Sequence, residues 1–436
     1  MPAARAVGLL VALAFVLRVA ANLWLTIPTP VLHADALWYH LTAANLAAGY
    51  GYIHHFTGKP TAAWPPGYPF LLSVLYRTLS PDPAWGFALN AVAGTITCWL
   101  TGLIARSLFS TRAQVVATAL IAVAPSQILF SSLLLTETIF TTMMTALVLG
   151  AIVLLDPSRQ RSPVLWILWG AAVGLAGLLR AEAVLLLFAP VLVLLTQRMR
   201  RTAAIAVLGC AVAGAVACQT PWLVRNARVF GRIVPASTSF GRTLLIGHNP
   251  VADGGMNLYS PDPAADQRDL IAGGPERELA VDNRLRDAGV RFALENPRAE
   301  LGLVFRRLYR MYHGDRVWNE WYAEPSASAG GSAPHPPIGE AAMEMLGRAS
   351  NLFYWLLLLA AAPAAMGLVS TDRSSQNGPR SGYWLVLSVL VLWSAFYGVV
   401  LYGSERFHFA LIPLACVLAS ATISAGVERM RSDGLR

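Results

Sequence analysis

Residues 7–26, "VGLLVALAFVLRVAANLWLT", and residues 33–69, "HADALWYHLTAANLAAGYGYIHHFTGKPTAAWPPGYP", together decide the fold class. The first stretch is twenty residues of almost unbroken apolar character, about the number an α-helix needs to cross a bilayer. The second is dense in groups that do chemistry: Asp35, four histidines, a run of aromatic rings and Lys59, the only lysine in the chain. An early span followed by a reactive loop suggests a membrane protein working at one of its faces. Composition agrees. Of 436 residues, 56% are hydrophobic and 13% charged, with mean hydropathy +0.52, whereas a soluble domain is about 25% charged. The 7–26 segment has the length of a secretory leader, but it lacks a convincing small-residue cleavage site and further apolar runs follow, so it is read as a span.

Working outward, apolar runs fall near 7–26, 86–106, 113–131, 134–155, 163–180, 182–196, 203–222, 350–369, 383–402 and 407–427. The 182–196 run is marginal and suits a hairpin with 163–180. This predicts an all-α polytopic protein of about ten transmembrane helices. Arg5, Arg106, Arg112, Arg159, Arg161, Arg198, Arg200, Arg201, Arg373, Arg380, Arg429, Arg431 and Arg436 fall in alternate short loops and at the termini. The positive-inside rule then places both ends in the cytoplasm, consistent with an even span count. The net charge of +9 is assigned to this topology and to anionic headgroups, not to nucleic acid. Two long segments are left outside: 27–85, and 223–349, expected to form a small mixed subdomain. The chain thus divides into an N-terminal membrane module (1–222), the outer subdomain (223–349) and a C-terminal membrane module (350–436). Residues 326–339, "SASAGGSAPHPPIG", have the composition of a flexible loop. Cys98, Cys210, Cys218 and Cys416 lie in apolar runs without zinc-ligand spacing and read as small buried residues.

Within the first outer loop, residues 33–48 lack Gly and Pro and end at Gly49, the pattern of a short helix with a glycine stop. Asp35 falls in its first turn, where the helix dipole favours a carboxylate, and Tyr39 lies one turn later on the same face. Capping the helix is the plain role for Asp35; meeting substrate is the functional one. Pro65, Pro66 and Gly67 force a turn, with Trp64 and Tyr68 suited to the headgroup level and to orienting substrate. His54 and His55 are the only weak metal-ligand candidates. No cofactor is required by the residues, and a divalent metal stays open.

Further ionisable groups sit at the outer ends of spans: Glu137, Arg180, Glu182, Arg225, Glu405 and Arg406, with Arg18 inside the first span. Such groups are costly at membrane depth and usually pair or line a cavity. Arg180 with Glu182 reads equally as a structural salt bridge. Carboxylates and arginines sharing one leaflet with Asp35 describe a site for a phosphate-bearing lipid and a hydroxyl-bearing partner. Residues 296–315 read as an amphipathic helix with Leu301, Val304, Phe305, Leu308 and Met311 on one side and Arg306, Arg307 and Arg310 on the other. Lying on the bilayer and gathering phosphate headgroups are compatible roles for it.

With these features in order, including "PSQILFSSLLLTETIF" (125–140), "GLAGLLRAEAVLL" (174–186) and "SERFHFALIP" (404–413), most of the chain resembles the GT-C-fold glycosyltransferases, the group of protein O-mannosyltransferases and aminoarabinose transferases. The resemblance implies a polyprenyl-phosphate sugar donor and inversion at the anomeric carbon. It makes Asp35 the acceptor-side base and Glu137 a second catalytic acid. Lys59, Arg225, Arg406 and Arg180 become candidate donor-phosphate ligands, with Tyr39 and Glu182 orienting substrate. Asp35-Ala36 stands where relatives often carry an Asp-Glu pair, and His248 of "GHNP" where they often carry Asn. The expected activity is transfer of a sugar to a glycan, lipid or protein hydroxyl at the outer face of a bacterial inner membrane. The arginine- and alanine-rich composition is what suggests a bacterial source. A lipid-linked oligosaccharide polymerase or ligase, or a lipid or sugar flippase, are the alternatives.

Overall fold

The computed structural model describes residues 3–26, 32, 34–156, 159, 162–196, 201–323, 339–369 and 378–433. In chain order the α-helices are α1 (Ala3–Thr26), α2 (Ala34–Ala47), α3 (Gly67–Thr78), α4 (Ala84–Leu108), α5 (Thr111–Val123), α6 (Pro125–Leu129), α7 (Glu137–Leu154), α8 (Pro163–Leu179), α9 (Phe188–Thr196), α10 (Arg201–Phe230), α11 (Phe240–Gly247), α12 (Pro263–Ala272), α13 (Pro275–Glu295), α14 (Pro297–Tyr312), α15 (Glu320–Ala323), α16 (Glu340–Ala365), α17 (Gly378–Val399), α18 (Glu405–His408) and α19 (Ile412–Asp433). Seven helical segments are long and apolar enough to cross a membrane, and a bent pair, 111–123 with 125–132, makes an eighth. The remaining two expected runs are the shorter apolar helices Pro163–Leu179 and Ala181–Thr196. All ten apolar runs are therefore helical, two of them below the length of a straight crossing.

Among the described residues there is no strand, only an isolated bridge between Ile53 and Pro60. The segment 223–349, expected to be mixed, consists of helices and irregular loops where described. Helix α10 runs through the boundary expected at 222 and α16 through that at 349. The Gly/Ser/Pro stretch 326–339 lies, except for Gly339, outside the described residues.

Local rules account for the elements that carry the site. Helix α2 ends at Gly49, whose φ of 87° suits a residue without a Cβ. Helix α5 stops at Ala124 because Pro125 has no N–H to continue it, and the chain turns by 61°. The proline leaves the Ile121 carbonyl without its i+4 donor. Buried Arg18 of α1 reaches it with Nη2 at 3.5 Å and its own Ala14 carbonyl at 3.0 Å. Helices α8 and α10 pack backbone to backbone. A Cβ on Gly170 or Gly214 would collide with the carbonyl of Ala211 or Ile167, the small-residue contact favoured between membrane helices. Large apolar side chains remain exposed on the rims of the bundle, among them Leu9, Val16, Leu168, Leu359 and Val391, as expected where the neighbour is lipid.

The N-terminal ends of α4, α7 and α18 and the C-terminal ends of α8, α10 and α17 come together beneath α2 and the helices of 240–323. Arg106 and Arg112 sit at the other end, where Arg112 pairs with Glu428 at 2.9 Å.

Candidate active site at the converging helix ends

Five charged side chains from four separate regions of sequence meet in one chain of ion pairs. Asp35 accepts from Arg406 Nη1 at 2.9 Å. Arg406 Nε also donates to Glu137, and Glu137 Oε1 accepts from Arg180 Nη1 at 2.8 Å. Arg180 Nε donates to Glu182 at 2.7 Å, and Glu182 takes a further 2.5 Å hydrogen bond from Tyr397. Three carboxylates meet two guanidiniums, leaving one negative charge in excess. Exposure rises outward: the side chain of Glu137 is 2% exposed, those of Arg180 and Arg406 14% and 18%, and that of Asp35 24%. Glu137 is thus the enclosed hub and Asp35 the carboxylate that faces the open side. Aromatic rings flank both arginines: Arg406 lies 5.1 Å over Trp321, and Arg180 sits 5.8 Å from Phe140 and from Phe407. The cleft between Glu137, Arg180, Arg406, Trp393 and Phe409 has room on the scale of about one water molecule.

Around Asp35, Trp64 donates its indole N–H to Oδ1 at 3.3 Å and stacks on Trp38. Tyr39 is buried and meets buried Tyr68 edge-on at 5.3 Å. Burial, then the charge of Asp35, pushes the Tyr39 phenol well above its ordinary range, so it stays neutral. Tyr39, Trp64 and Tyr68 therefore form the wall behind Asp35.

Arg225 and Lys59, expected at donor phosphate, are engaged elsewhere. Arg225 donates to the carbonyls of Thr61 and Tyr52 at 2.7 and 2.8 Å and lies over Trp222. Glu278 of α13 grips the same loop, accepting from Ala62 N at 2.9 Å, Thr61 Oγ1 at 2.7 Å and Thr238 Oγ1. These two residues hold the first loop by its backbone. Lys59 lies against the α12–α13 turn, with Nζ 3.4 Å from Gly273 O. The rings of His54 and His55 stack at 5.2 Å and both stand against Trp38. Among the described residues no three His, Cys, Asp or Glu side chains gather as a cation-holding group, and the site carboxylates are taken by guanidiniums.

Sequence reading missed what positions Arg406. The turn at 313–316 interlocks with α18: Glu405 accepts from Arg316 N at 2.7 Å and meets His313 at 3.3 Å, while His408 faces Met311 O and Asp315 Oδ1 at 2.6 and 3.2 Å. A Cβ on Gly314 would collide with Glu405. Behind it, buried Arg307 donates to Gly247 O and Glu300 at 2.8 Å and to Gly398 O at 3.2 Å, and His248 bridges Glu300 and Val400 O. The "HGD" at 313–315 was the available signal, a histidine and an aspartate around a glycine beside a basic helix. Arg307, read as part of the polar face of that helix, is buried, whereas Leu301 and Phe305 are exposed.

Residues 63–224 match the family model described as dolichyl-phosphate-mannose-protein mannosyltransferase. No curated protein matches the chain. Among solved structures, the archaeal oligosaccharyltransferase AglB from Archaeoglobus fulgidus, in complex with an inhibitory peptide and a dolichol-phosphate, aligns over 99% of this chain and 51% of its own, at 13% identity and a TM-score of 0.55. The A. fulgidus oligosaccharyltransferase in complex with Zn and sulfate aligns over 97% and 49%, at 14% identity and a TM-score of 0.52. ArnT from Cupriavidus metallidurans bound to undecaprenyl phosphate aligns over 97% and 79%, at 15% identity and a TM-score of 0.43. The chain spans about half the length of the archaeal enzymes it matches. The likeness to those enzymes along almost its whole length gives the chain the GT-C fold expected from its sequence, and its residues 63–224 carry the pattern of the dolichyl-phosphate-mannose-protein mannosyltransferase family.

Proposed function

We propose that the chain is an integral-membrane, inverting glycosyltransferase that moves a sugar from a polyprenyl-phosphate donor to an acceptor hydroxyl at the outer membrane face. The observation that carries this reading is the junction of Asp35 with Arg406, a carboxylate and a guanidinium brought together from opposite ends of the chain at the mouth of a membrane bundle. Asp35 accepts the acceptor O–H proton as that oxygen forms its bond to the anomeric carbon. The bond from that carbon to the phosphate oxygen breaks, and polyprenyl phosphate leaves with the electron pair. Arg406, backed by Arg180, stabilises the charge gathering on the leaving phosphate. Glu137 holds both guanidiniums in place and faces the positive charge of an oxocarbenium-like transition state.

The ion pairing also orders the steps. Donor phosphate and Asp35 compete for the same Arg406 donors. A phosphate arriving at Arg406 displaces Asp35, and the freed carboxylate can turn to the acceptor hydroxyl. Donor binding thereby prepares the acceptor side. The flippase alternative calls for charges near the bilayer midplane, and this cluster is at helix ends. An oligosaccharide polymerase or ligase would also use arginines at the outer face, but it does not account for the acidic first loop followed by "KPTAAWPPGYP".

The test is transfer of radiolabelled sugar from polyprenyl-phosphate donors in membranes holding wild type or Asp35→Asn at matched levels. Loss of about a hundred- to ten-thousand-fold in the variant is expected for removal of a general base. Equal transfer by both removes Asp35 from the chemistry. Polyprenyl phosphate that binds wild type and Arg406→Ala equally well overturns the donor assignment.

A further inference from the structure

The first outer loop carries a feature that sugar transfer at Asp35 does not by itself explain. Aromatic rings run outward from the carboxylate in unbroken contact. Trp64, hydrogen-bonded to Asp35, stacks on Trp38 with centroids 4.3 Å apart. His55 stands 5.0 Å from Trp38, and Phe56 lies 4.1 Å from His55. The outer end is open: Phe56 is 80% exposed and nearby Tyr50 70%. Gly49, Gly51 and Gly58, all with positive φ, shape the loop that presents these rings. Scattered exposed rings need no explanation, but a contiguous set leading to a reactive carboxylate does.

We propose that this ledge, Trp64–Trp38–His55–Phe56, is the subsite for a pyranose ring of the acceptor, and that the acceptor is a glycan or glycolipid rather than a bare peptide. The inference rests on the reading of Asp35 as the acceptor-side base. A pyranose has one face of C–H bonds with partial positive charge, which matches the negative face of an aromatic ring, and a rim of hydroxyls. The open ring face is that of Phe56, with His55 and Trp64 partly exposed beside it, and Trp38, 4% exposed, is the buried backing on which they stand. The ledge also carries no charge to compete for phosphate. Burial lowers the basicity of His54 and His55, and Lys59 is turned toward Gly273 O. The support is rigid, since Arg225 fixes Tyr52 O and Thr61 O on either side of the ledge. A site organised before its ligand arrives loses less entropy on binding. A peptide, by contrast, needs a run of free backbone donors and acceptors, and here His54 N and Gly58 N are already bonded within the loop.

Saturation-transfer NMR on the full chain in nanodiscs tests this with three probes: methyl α-mannopyranoside, maltotriose and a capped Ser/Thr hexapeptide. Binding of polyprenyl phosphate is measured on the same samples. Transfer to the ring C–H protons of the saccharides is expected, with roughly three- to tenfold weaker binding in Phe56→Ala and His55→Ala and unchanged polyprenyl-phosphate binding. Phe56 is exposed, so its removal leaves the fold intact. Saccharide binding equal in wild type and both variants overturns the ledge, as does binding of the peptide alone. If polyprenyl phosphate binds and no saccharide does, the ledge falls and the donor reading stands. If saccharides bind through Phe56 and polyprenyl phosphate does not bind at all, the ledge stands and the donor reading falls.

Discussion

Glu137 and Asp35 are both acids on Arg406, yet burial separates their roles. Glu137 is enclosed and serves two arginines, so removing it takes one of the two carboxylates that each holds, leaving Asp35 on Arg406 and Glu182 on Arg180. Glu137→Ala is expected to cost about 1–3 kcal/mol of stability together with donor binding, since both guanidiniums lose their shared anchor. Asp35→Asn, at the open side, is expected to abolish transfer with little change in thermal unfolding. Melting curves in detergent beside transfer assays check the pair; equal destabilisation by both denies the distinction. The histidines of the ledge give a pH prediction. Their basicity is lowered in the fold from an ordinary value of 6.5, by burial first. In acid the unfolded loop therefore takes up protons before the folded one. Their contribution to loop stability is complete above pH 6.5 and is lost as pH falls through that value toward the lower folded one. The protection of residues 50–60 against hydrogen exchange, taken relative to the intrinsic amide rate at each pH, should fall between pH 7.5 and pH 5, by a margin that shrinks in the His54→Gln/His55→Gln double variant.

Elements, rather than single residues, set the distance between Asp35 and Arg406. Helix α2 is held through the loop that Arg225 and Glu278 grip, and α18 through the 313–316 turn and Arg307. Gly403 lies against the backbone of Arg307 so closely that a Cβ would collide with its carbonyl. Gly403→Ala is therefore expected to shift α18 and lower kcat for sugar transfer at least tenfold, since small misplacements of catalytic groups cost about a hundredfold. Crystallographic or cryo-EM comparison of the Arg406 position checks the cause, and unchanged kcat denies it. These straps also explain what was legible in the sequence. Helix α2, its glycine stop, the proline turn and the ten apolar runs follow local rules of periodicity and punctuation. That Asp35, Glu137, Arg180, Glu182 and Arg406 share a face followed from arginine counting. The work of Arg225 was not legible, because its partners, Tyr52 and Thr61, lie more than 160 residues away and are backbone carbonyls that any residue supplies. Arg307 misled for a related reason: helical periodicity shows that a stripe differs from its opposite, and tertiary packing chose to bury the guanidinium on carbonyls.

At the scale of the molecule, the short loops and termini at the end away from the site carry arginines with few acids, Arg106 and Arg112 among them, whereas the more numerous arginines of the site end are matched by acids. The proposed outward-facing site rests on the positive-inside rule applied to those short loops. Exposed methionines at each end allow a direct check: Met256, near the site end, is 66% exposed, and Met430, near the C-terminus, 69%. With the four native cysteines replaced by serine, Met256→Cys should react with a membrane-impermeant maleimide on intact cells. Met430→Cys should react only after permeabilisation. The reverse pattern would turn the site toward the cytoplasm, where nucleotide-activated sugars are at hand and a lipid-phosphate donor loses its rationale. The expected pattern leaves the site on a side without nucleotide sugars, where a sugar must arrive on a lipid. A guanidinium at the mouth of a membrane bundle, already bound to a carboxylate that a phosphate displaces, is suited to receive it.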